Sequence, residues 1–357
     1  MRDEESGHDT CFACPGFCRS TCPVAESERR ESVAPRSLVV LARAVRRGEM
    51  TAEMARDLPW HCTDCGACAQ ACPTRVDVPS LLMQSRARVG RRASPPEPSR
   101  EVAECFAIAG NPQGSSLQTA MEAAAQSARR STDRVGDVVY VPGCFVLDQE
   151  PELATDFIRC ISLFGREVVV TPASSACCGQ PLWWAGELEA ARAHAEAFKQ
   201  QARGAQHVVF HDPHCAGFVR ERFPELGVEW DVEISSGLEF AAKLLSPEQA
   251  EVARTSRPEN VVAAETCRQR GSVGPRWVGR LSGQKHRVAA GDCCGAAGLL
   301  PEVAPELARR MGERWLEAIA PEDGEILMVS SPRCRAHLSR IRPDLSFDDP
   351  LRAWVRA

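Results

Sequence analysis

The sequence predicts a helical N-terminal region followed by a larger α/β region with mainly parallel sheets. Two features carry this prediction. Eight of the 18 cysteines lie within the first 72 residues, among helical patterns. From about residue 136 onward, short β-branched runs alternate with helical stretches, which is typical of α/β proteins. The 357 residues leave room for two or three domains with buried cores.

The N-terminal region carries readable helix boundaries. Pro35 suits the first position of a helix, and Gly48 suits the position just past its end. We expect a second, short helix over Thr51 to Asp57 and a longer one after Pro79. The region is therefore predicted to be a helical module with a long insert between its two dense cysteine runs.

The chain divides into four predicted parts. Residues 1–92 form the helical module, and residues 93–135 form a linker and helical connector that opens with the proline-rich stretch 93–100. Two α/β lobes follow, at 136–257 and 258–357. Their predicted strands are 137–141, 167–171, 207–210, 260–264 and 325–329, and their predicted helices are 151–164, 185–203, 237–245 and 305–319.

Composition and charge argue against several classes of protein. A net charge of −5 does not favour nucleic-acid binding. No run of 18 apolar residues is present, so we expect no transmembrane segment, and the acidic, polar N-terminus is not a secretory signal. The chain is therefore expected in the cytoplasm, where it could reach the inner face of the membrane through partners. Because cytosolic chains rarely hold disulfides, the cysteines are expected to be thiols, metal ligands or redox groups.

Two dense cysteine runs predict a pair of iron–sulfur clusters. The second run, C-x2-C-x2-C-x3-C-P, matches the bacterial ferredoxin pattern, in which the fourth cysteine ligates the other cluster. The first run has one extra residue between its second and third cysteines, which we expect to loosen the loop. The predicted ligand sets are Cys11, Cys14, Cys18 and Cys72 for cluster 1, and Cys62, Cys65, Cys68 and Cys22 for cluster 2.

Zinc is the alternative for these two runs. Zinc sites usually place two short cysteine pairs roughly 12–20 residues apart. Here four cysteines fall within 12 residues, twice, and each run ends in Cys-Pro. Gly66 also lets the second loop approach a cluster closely, because glycine lacks a Cβ. The spacing therefore favours two [4Fe–4S] clusters.

Most of the remaining cysteines follow a repeated pattern, C…CCG…P-x-C. The single cysteines follow predicted strands, and each Cys-Cys-Gly precedes a predicted helix. Ligands bind outside the carboxyl ends of strands in open α/β sheets, so each set could converge on a metal. Buried packing cysteines or a vicinal disulfide are the alternatives. The sets are Cys144, Cys177, Cys178 and Cys215 for CCG site 1, and Cys267, Cys293, Cys294 and Cys334 for CCG site 2.

The ferredoxin runs and the doubled CCG pattern together resemble the heterodisulfide reductase-related iron–sulfur proteins. These include the iron–sulfur subunit of glycolate oxidase, the C subunit of anaerobic glycerol-3-phosphate dehydrogenase and the D subunit of heterodisulfide reductase. The resemblance covers nearly the whole chain, and the doubled CCG pattern is its most specific part. Flanking residues that agree are 22–24 (CPV), 34–36 (APR), 62–68 (CTDCGAC) and 109–112 (AGNP).

The resemblance implies an electron-transfer subunit that works with a separate flavin-bearing dehydrogenase. In heterodisulfide reductases proper, the full motif C…CCG…C-x-x-C supplies five thiolates to a noncubane cluster that cleaves a disulfide. This chain departs from that motif, because Asp212 and Ser331 replace the first cysteine of the terminal pair. Arg268 also replaces the usual histidine after Cys267. Four cysteines per lobe suit a further cubane cluster or zinc rather than two noncubane centres.

Three functions are compatible with these residues. The first is a relay that passes electrons between a flavoprotein dehydrogenase, or another redox subunit, and a quinone or other acceptor, in a complex that a partner could attach to a membrane. No G-x-G-x-x-G motif follows a strand, so nucleotide chemistry would lie on another chain. The second is reduction of a disulfide at a CCG-bound cluster. The third is an assembly or structural role with zinc in a CCG lobe.

Several other residues carry weaker signals. His61 precedes the second run and is expected at most to tune its cluster through a hydrogen bond. His211 or His214 could replace a thiolate as a metal ligand, and Asp212 could serve as a hard ligand. Residues expected to act in packing, or against a partner for the tryptophans, are Trp183, Trp184, Cys105 and Cys160.

Overall fold

The computed structural model describes residues 4–127, 137–171, 176–245, 260–270, 286–290 and 292–352. The chain forms two compact units, and each is assembled from separate stretches of sequence. The first unit combines Met1–Glu104, Pro181–Ala191 and Asp292–Trp315, and the second combines Cys105–Gln180, Arg192–Gly291 and Leu316–Ala357. The segment after the first Cys-Cys-Gly motif, and the segment that contains the second, therefore belong to the same unit as the two cysteine runs.

Helices dominate the N-terminal part of the chain, as the sequence predicts. Over the described stretches, none of the helices is both long and apolar enough to cross a membrane. In chain order, α1 to α16 are Glu4–Ala13, Pro23–Glu28, Pro35–Arg47, Ala67–Ala71, Val78–Arg92, Glu97–Ala109, Gln118–Ser127, Cys144–Gln149, Glu152–Leu163, Gln180–Ala185, Leu188–Gln201, Pro213–Arg222, Gly237–Leu244, Leu300–Val303, Pro305–Ile319 and Pro332–Ile341.

Helix boundaries follow the sequence signals in one part of the insert and not in another. Helix α3 begins at Pro35 and ends at Gly48, whose φ of +74° is a conformation that glycine adopts without strain. Residues 52–57 form turns that lead into a 3-10 helix at Leu58–His61, so the short α-helix predicted over 51–57 is wrong. A segment of this length is too short to hold an α-helix by propensity alone.

Each CCG repeat contains a four-stranded parallel sheet with the same strand order. The first sheet has the order β2-β1-β3-β4 and the second β6-β5-β7-β8, and all six pairings are parallel. The predicted α/β class with parallel sheets is confirmed. The strands β1 to β8 are Val138–Val141, Val169–Val170, His207–Phe210, Glu233–Ser236, Val261–Glu265, His286–Ala290, Ile326–Met328 and Ser346–Asp348.

The two sheets share a hydrophobic core within the second unit. Tyr140 of β1 stacks on Phe157 of α9, with ring centroids 4.2 Å apart, and both side chains are fully buried. Val261 and Met328 of the second sheet belong to the same buried cluster as the first sheet's residues. Burying apolar surface from both sheets stabilises each repeat through the other.

A buried polar network also joins the two repeats. The Tyr140 hydroxyl lies 2.9 Å from His211 Nδ1, and His211 Nε2 lies 3.3 Å from Asp349 Oδ2. Arg335 donates to Asp349 at 3.2 Å and to the Glu150 carboxylate at 2.9 and 3.1 Å. Burial alone would raise the pKa of Asp349, but His211 and Arg335 hold that pKa at about 2. The carboxylate is therefore a fixed buried anion between two repeats.

We expect Asp349→Asn to lower the free energy of unfolding by about 3 kcal/mol, because His211 and Arg335 lose the buried anion between them. Urea unfolding of the anaerobically purified protein, followed by circular dichroism, measures the change. The control is Asp344→Asn, which removes an exposed partner of Arg342 and should leave stability unchanged. Equal midpoints for both variants would contradict the assignment.

Candidate metal centres

Four cysteines drawn from both runs line a single cavity in the first unit. They are the residues predicted to hold cluster 2, namely Cys22, Cys62, Cys65 and Cys68. The rest of the wall is largely apolar, with side chains of α3, α5 and the segment after Cys22. Among these side chains are Val24, Val33, Leu38, Val78 and Leu82.

The thiols in this cavity lie in an environment that disfavours their negative charge. Burial raises the pKa of Cys22 and of Cys62 to about 12, and it raises the pKa of Cys68 well above its ordinary value. A thiolate here is favourable when a cation accompanies it, and a bound metal supplies that charge while it displaces the thiol protons. The donor set therefore fits a metal centre.

Two residues of the second cysteine run have a left-handed backbone conformation. Asp64 has a φ of +57°, and Gly66 has a φ of +72° at the start of α4. In this conformation the Asp64 N–H donates to Cys62 Sγ at 3.4 Å. Hydrogen bonds to ligand sulfurs are among the factors that set the potential of an iron–sulfur cluster.

The four residues predicted for cluster 1 are also neighbours. Burial raises the pKa of Cys11 to about 12, and the nearby thiols of Cys18, Cys72 and Cys14 add to that shift. Cys72, which ends the second run, thus lies with the first run, while Cys22, which ends the first run, lies in the cavity of the second. Each run therefore contributes its fourth cysteine to the group of thiols formed by the other run.

The extra residue of the first run forms a tight turn. Gly16 has a φ of +96°, and its N–H donates to Cys14 Sγ at 3.3 Å. Arg36 donates to the carbonyl oxygens of Cys14 at 2.5 Å and of Phe12 at 3.0 Å. The loop that the sequence led us to expect as loose is instead tied to α3 by a guanidinium.

Two large apolar side chains beside these thiols face solvent. Phe12 is 53% exposed and Phe17 is 62% exposed. The guanidinium carbon of Arg43 lies 4.5 Å from the centroid of the Phe12 ring, within the range of a cation–π contact. Arg43 also donates to Asp9 Oδ1 at 2.8 Å, so the surface over the first cysteine run is apolar with an ion pair at its margin.

The first CCG set comes together in the second unit, beyond the carboxyl ends of β1 and β3. Cys144 opens α8, and Cys215 lies in the first turn of α12. Cys178 Sγ lies 3.2 Å from Cys215 Sγ. Burial raises the pKa of Cys177, with added effects from Cys144 and Cys178; for Cys178, hydrogen bonds from Cys177 and Cys215 outweigh burial and lower the pKa. The four thiols share one buried cluster.

The glycine of each Cys-Cys-Gly motif is required by the backbone. Gly179 has a φ of +87° and Gly295 a φ of +92°. A Cβ on Gly179 would lie 2.7 Å from His194 Cδ2, and one on Gly295 would lie 2.9 Å from the Ala308 carbonyl oxygen. Both glycine N–H groups lie 3.5 Å from the sulfur of the first cysteine of their motif. The repeats therefore shape their cysteine pairs in the same way.

The second CCG set is divided between the two compact units. Cys293 and Cys294 belong to the first unit, whereas Cys267 and Cys334 belong to the second. All four are buried. Cys267 follows β5 and Cys334 lies in the first turn of α16, so the single cysteines stand where those of the first repeat stand.

A second polar cluster surrounds Cys267 within the second unit. His214 Nε2 lies 3.6 Å from Cys267 Sγ, and His214 Nδ1 lies 3.2 Å from Asp212 Oδ1. The Ser331 hydroxyl donates to Asp212 Oδ2 at 3.4 Å and lies 3.2 Å from His214 Nδ1. Burial lowers the pKa of His214, but the Asp212 carboxylate outweighs it and raises that pKa. Asp212 and Ser331, which replace cysteines of the longer motif, thus meet.

A buried arginine connects the three segments of the first unit. Arg86 is 0% exposed and donates to the carbonyl oxygens of Pro59, Cys62, Trp184 and Gly298 at 2.5 to 3.1 Å. Burial lowers the pKa of this guanidinium to about 10. Its N–H groups therefore bind the backbone of the second cysteine run and the backbone that follows each Cys-Cys-Gly motif.

Contacts within the first unit bring the second Cys-Cys-Gly motif onto the second cysteine run. Cys293 Sγ lies 3.4 Å from the Thr63 hydroxyl oxygen. A Cβ on Gly298 would lie 2.3 Å from the Cys62 carbonyl oxygen, so glycine is required there. Trp184, which follows the first motif, donates from Nε1 to Asp64 Oδ2 at 3.1 Å.

The weaker sequence signals have mixed outcomes. His61 lines the cavity of Cys62, and its Nδ1 lies 3.1 Å from the Asp57 carbonyl oxygen. Trp183 and Trp184 are both buried. Cys160 is fully buried in α9, as expected, whereas Cys105 is half-buried beside Gly114.

The sequence did not predict two features of the first unit. One is the set of hydrogen bonds made by Arg86, and the other is the contact between Thr63 and Cys293. Arg86 lies in a helix of ordinary composition, and the carbonyl groups it binds have no sequence signature. Thr63 lies inside the second run, so its position between two predicted ligand cysteines was the one available signal.

The arrangement of the second-run thiols fits a polynuclear cluster. Cys22, Cys62, Cys65 and Cys68 line the wall of one cavity. A cubane cluster spreads its four thiolates over separate irons in this way. We propose that Cys11, Cys14, Cys18 and Cys72 hold one [4Fe–4S] cluster, and Cys22, Cys62, Cys65 and Cys68 the other.

Comparison with known proteins identifies two kinds of domain in the chain. A 4Fe-4S dicluster domain matches residues 7–76, which include both cysteine runs. A cysteine-rich domain of the CCG type matches residues 138–220 and 283–339, which include both Cys-Cys-Gly motifs. The predicted combination of a dicluster domain with two CCG repeats is confirmed.

Several proteins are similar to nearly the whole chain. The B subunit of fumarate reductase (CoM/CoB) from Methanothermobacter marburgensis is 25% identical over 92% of this chain, which spans 66% of that protein. The D subunit of dihydromethanophenazine:CoB–CoM heterodisulfide reductase from Methanosarcina barkeri is 24% identical, over 95% of this chain and 90% of its own length. The glycolate oxidase iron–sulfur subunit of Escherichia coli is 22% identical, over 92% and 89%. The resemblance to heterodisulfide reductase-related iron–sulfur proteins is confirmed.

The exchange of fourth cysteines gives a direct test of the ligand sets. We expect Cys72→Ser to abolish the same electron paramagnetic resonance signal as Cys14→Ser, and Cys22→Ser to abolish the same signal as Cys65→Ser. Each variant should lose about four irons. Iron and sulfide analysis with spectra of the reduced protein measures both. Cys105→Ser is the control and should keep both signals; a signal shared by Cys72→Ser and Cys65→Ser would contradict the exchange.

Proposed function

We propose that this chain, an iron–sulfur protein related to the D subunit of heterodisulfide reductase, is the electron-transfer subunit of a redox complex. It relays electrons between a flavin-linked dehydrogenase and a quinone or other acceptor. Bound iron–sulfur clusters supply one-electron chemistry, and the residues of this chain hold, space and shield them. The relatives named as subunits of fumarate reductase, heterodisulfide reductase and glycolate oxidase support this proposal.

The observation that carries the proposal is the contact between Cys293 and Thr63. The two side chains meet at 3.4 Å, and Thr63 stands in the loop between the proposed cluster ligands Cys62 and Cys65. Thr63 is 3% exposed, so the contact is dry. This contact supports a route for electrons from the second cysteine run to the second Cys-Cys-Gly motif.

Gly298 and Arg86 hold this contact at its observed distance. Because a Cβ on Gly298 would clash with the Cys62 carbonyl oxygen, the two segments can approach only with glycine at this position. Arg86 donates to the carbonyl groups of Cys62 and Gly298 from two different nitrogens of the same guanidinium. A rigid, fully used donor group is suited to fixing two backbones against each other.

The surface of Phe12 and Phe17 is suited to contact with a redox partner. Large apolar side chains with basic neighbours are typical of the central part of protein interfaces. In sequence, both rings lie between ligands of the proposed cluster 1, so a partner docked there would bring its own cofactor close to that cluster. In this proposal the partner docks at the surface of Phe12 and Phe17. Electrons reach the second Cys-Cys-Gly motif through the contact between Thr63 and Cys293.

We expect Thr63→Val to slow electron transfer from the second-run cluster to the centre that Cys293 serves by about tenfold, because the variant keeps the volume but loses the polar contact. Rapid-freeze electron paramagnetic resonance after mixing with dithionite measures the rate. Thr155→Val, in a helix of the second unit, is the control. An unchanged rate would contradict the route, whereas a purified protein without any reducible iron–sulfur signal would contradict the relay itself.

We expect Phe12→Ser combined with Phe17→Ser to weaken binding of a copurifying flavoprotein by at least tenfold, since aromatic anchors of an interface each contribute on the order of 1–2 kcal/mol. Stopped-flow reoxidation of the reduced flavin measures the loss, and the spectra of the isolated chain should not change. Leu163→Ser removes an equally exposed apolar side chain, 62% exposed, and is the matched control. Equal effects of both changes would remove this surface from the proposal.

A further inference from the structure

The turn that follows Cys72 brings a threonine hydroxyl back to the sulfur of that cysteine. The Arg75 N–H donates to the Cys72 carbonyl oxygen at 3.0 Å, which closes a turn with Pro73 and Thr74 at its centre. Proline favours the second position of such a turn, because its ring fixes φ at about −65°. The Thr74 hydroxyl oxygen lies 3.2 Å from Cys72 Sγ. The sequence Cys-Pro-Thr thus places a hydroxyl beside a proposed cluster ligand.

The hydroxyl is the donor in this contact when the cysteine holds iron. A ligand thiolate carries no hydrogen, so the Thr74 hydroxyl must supply the one between them. Burial alone would raise the pKa of the Cys72 thiol, but hydrogen bonds from the Thr74 hydroxyl and from the N–H groups of residues 74–76 outweigh burial and lower that pKa. In the same set, burial raises the pKa of Cys11 and of Cys18. Cys72 therefore has neighbouring donors that stabilise its negative charge.

The Cys-Pro pair that ends the first run continues differently. Pro23 opens α2 directly after Cys22, and Val24 occupies the position that Thr74 occupies in the second run. Val24 has no hydroxyl, and its side chain is 2% exposed in the wall of the cavity that Cys22 lines. The two fourth cysteines therefore differ in their surroundings, because the residue two positions after Cys72 is a hydroxyl donor and the residue two positions after Cys22 is apolar.

We propose that Thr74 is a positioning residue for Cys72: its hydroxyl donates a hydrogen bond to the Cys72 sulfur and raises the reduction potential of cluster 1. The inference rests on the proposed relay and its ligand sets, and it adds an asymmetry between the two clusters. A donor to a ligand sulfur offsets part of the negative charge of the centre, and it stabilises the reduced state more because that state carries one more negative charge. Valine at the equivalent position makes no such contribution to cluster 2, so Thr74 favours residence of the electron on cluster 1.

The experiment is a redox titration of the full chain with dithionite, followed by electron paramagnetic resonance. The signal of cluster 1 is the one that Cys14→Ser abolishes. We expect Thr74→Val to keep this signal and to lower the equilibrium constant of its one-electron reduction about threefold, which is about 28 mV. Thr74 is exposed, so the substitution leaves no cavity in the core. Thr74→Ser retains the hydroxyl and should keep most of the original potential.

A matched control separates this role from a general effect of losing a hydroxyl near the clusters. Thr21→Val removes a threonine hydroxyl of the first run, which donates to the Cys18 carbonyl oxygen at 3.0 Å, and should leave both potentials unchanged. An unshifted cluster 1 signal in Thr74→Val, with both clusters reducible, would overturn the inference and leave the relay standing. An equal shift in Thr74→Ser, or a shift of both signals together, would overturn it as well. A protein without reducible clusters would overturn the relay and the inference alike.

Discussion

The first unit depends on a buried cation whose hydrogen bonds, over the described residues, all go to neutral carbonyl groups. Arg86 uses its five donors on these backbone groups, and the Trp60 ring lies 5.6 Å from its guanidinium carbon. Burying a charge is favourable only when its hydrogen bonds are complete, so all four carbonyl groups must stand where they do. One of them belongs to Cys62, and this ties the placement of a proposed cluster ligand to chain segments far away in sequence. The position of Cys62 is therefore determined partly by residues outside the second cysteine run.

The sequence predicted structure correctly where the backbone preference of one residue, or the spacing of a short motif, determines the local conformation. Pro35 and Gly48 bound a helix because each has a backbone preference that acts within one turn, and the cysteine spacings indicate clusters because a short loop must wrap them. The three strands that escaped prediction, Glu233–Ser236, His286–Ala290 and Ser346–Asp348, lie at sheet edges. An edge strand has one neighbour and little need of a continuous apolar run, so its pattern is weak. The contacts of Arg86 and of His214 were out of reach, because they join residues that only the tertiary fold brings together.

The two CCG repeats show how a duplicated unit can keep its backbone and alter its chemistry. Strand order, the left-handed glycine after each cysteine pair and the helix-opening proline are the same in both. The N-cap residues of the two helices differ, because Asp212 caps α12 and Ser331 caps α16. The Ser331 hydroxyl donates a hydrogen bond to the Asp212 carboxylate. We therefore expect a substitution in either repeat to affect the stability of both, because their residues share one buried core.

The discontinuous make-up of the first unit has a consequence for biogenesis. During translation, both cysteine runs leave the ribosome early, but Arg86 meets its last acceptor, the Gly298 carbonyl, 212 residues later in the chain. Until then the loop of Cys62 lacks part of its support, and its thiols are more open to oxygen and to stray metal ions than in the finished protein. The loop of Cys62 therefore gains its complete set of backbone contacts only after residue 298 has been synthesised.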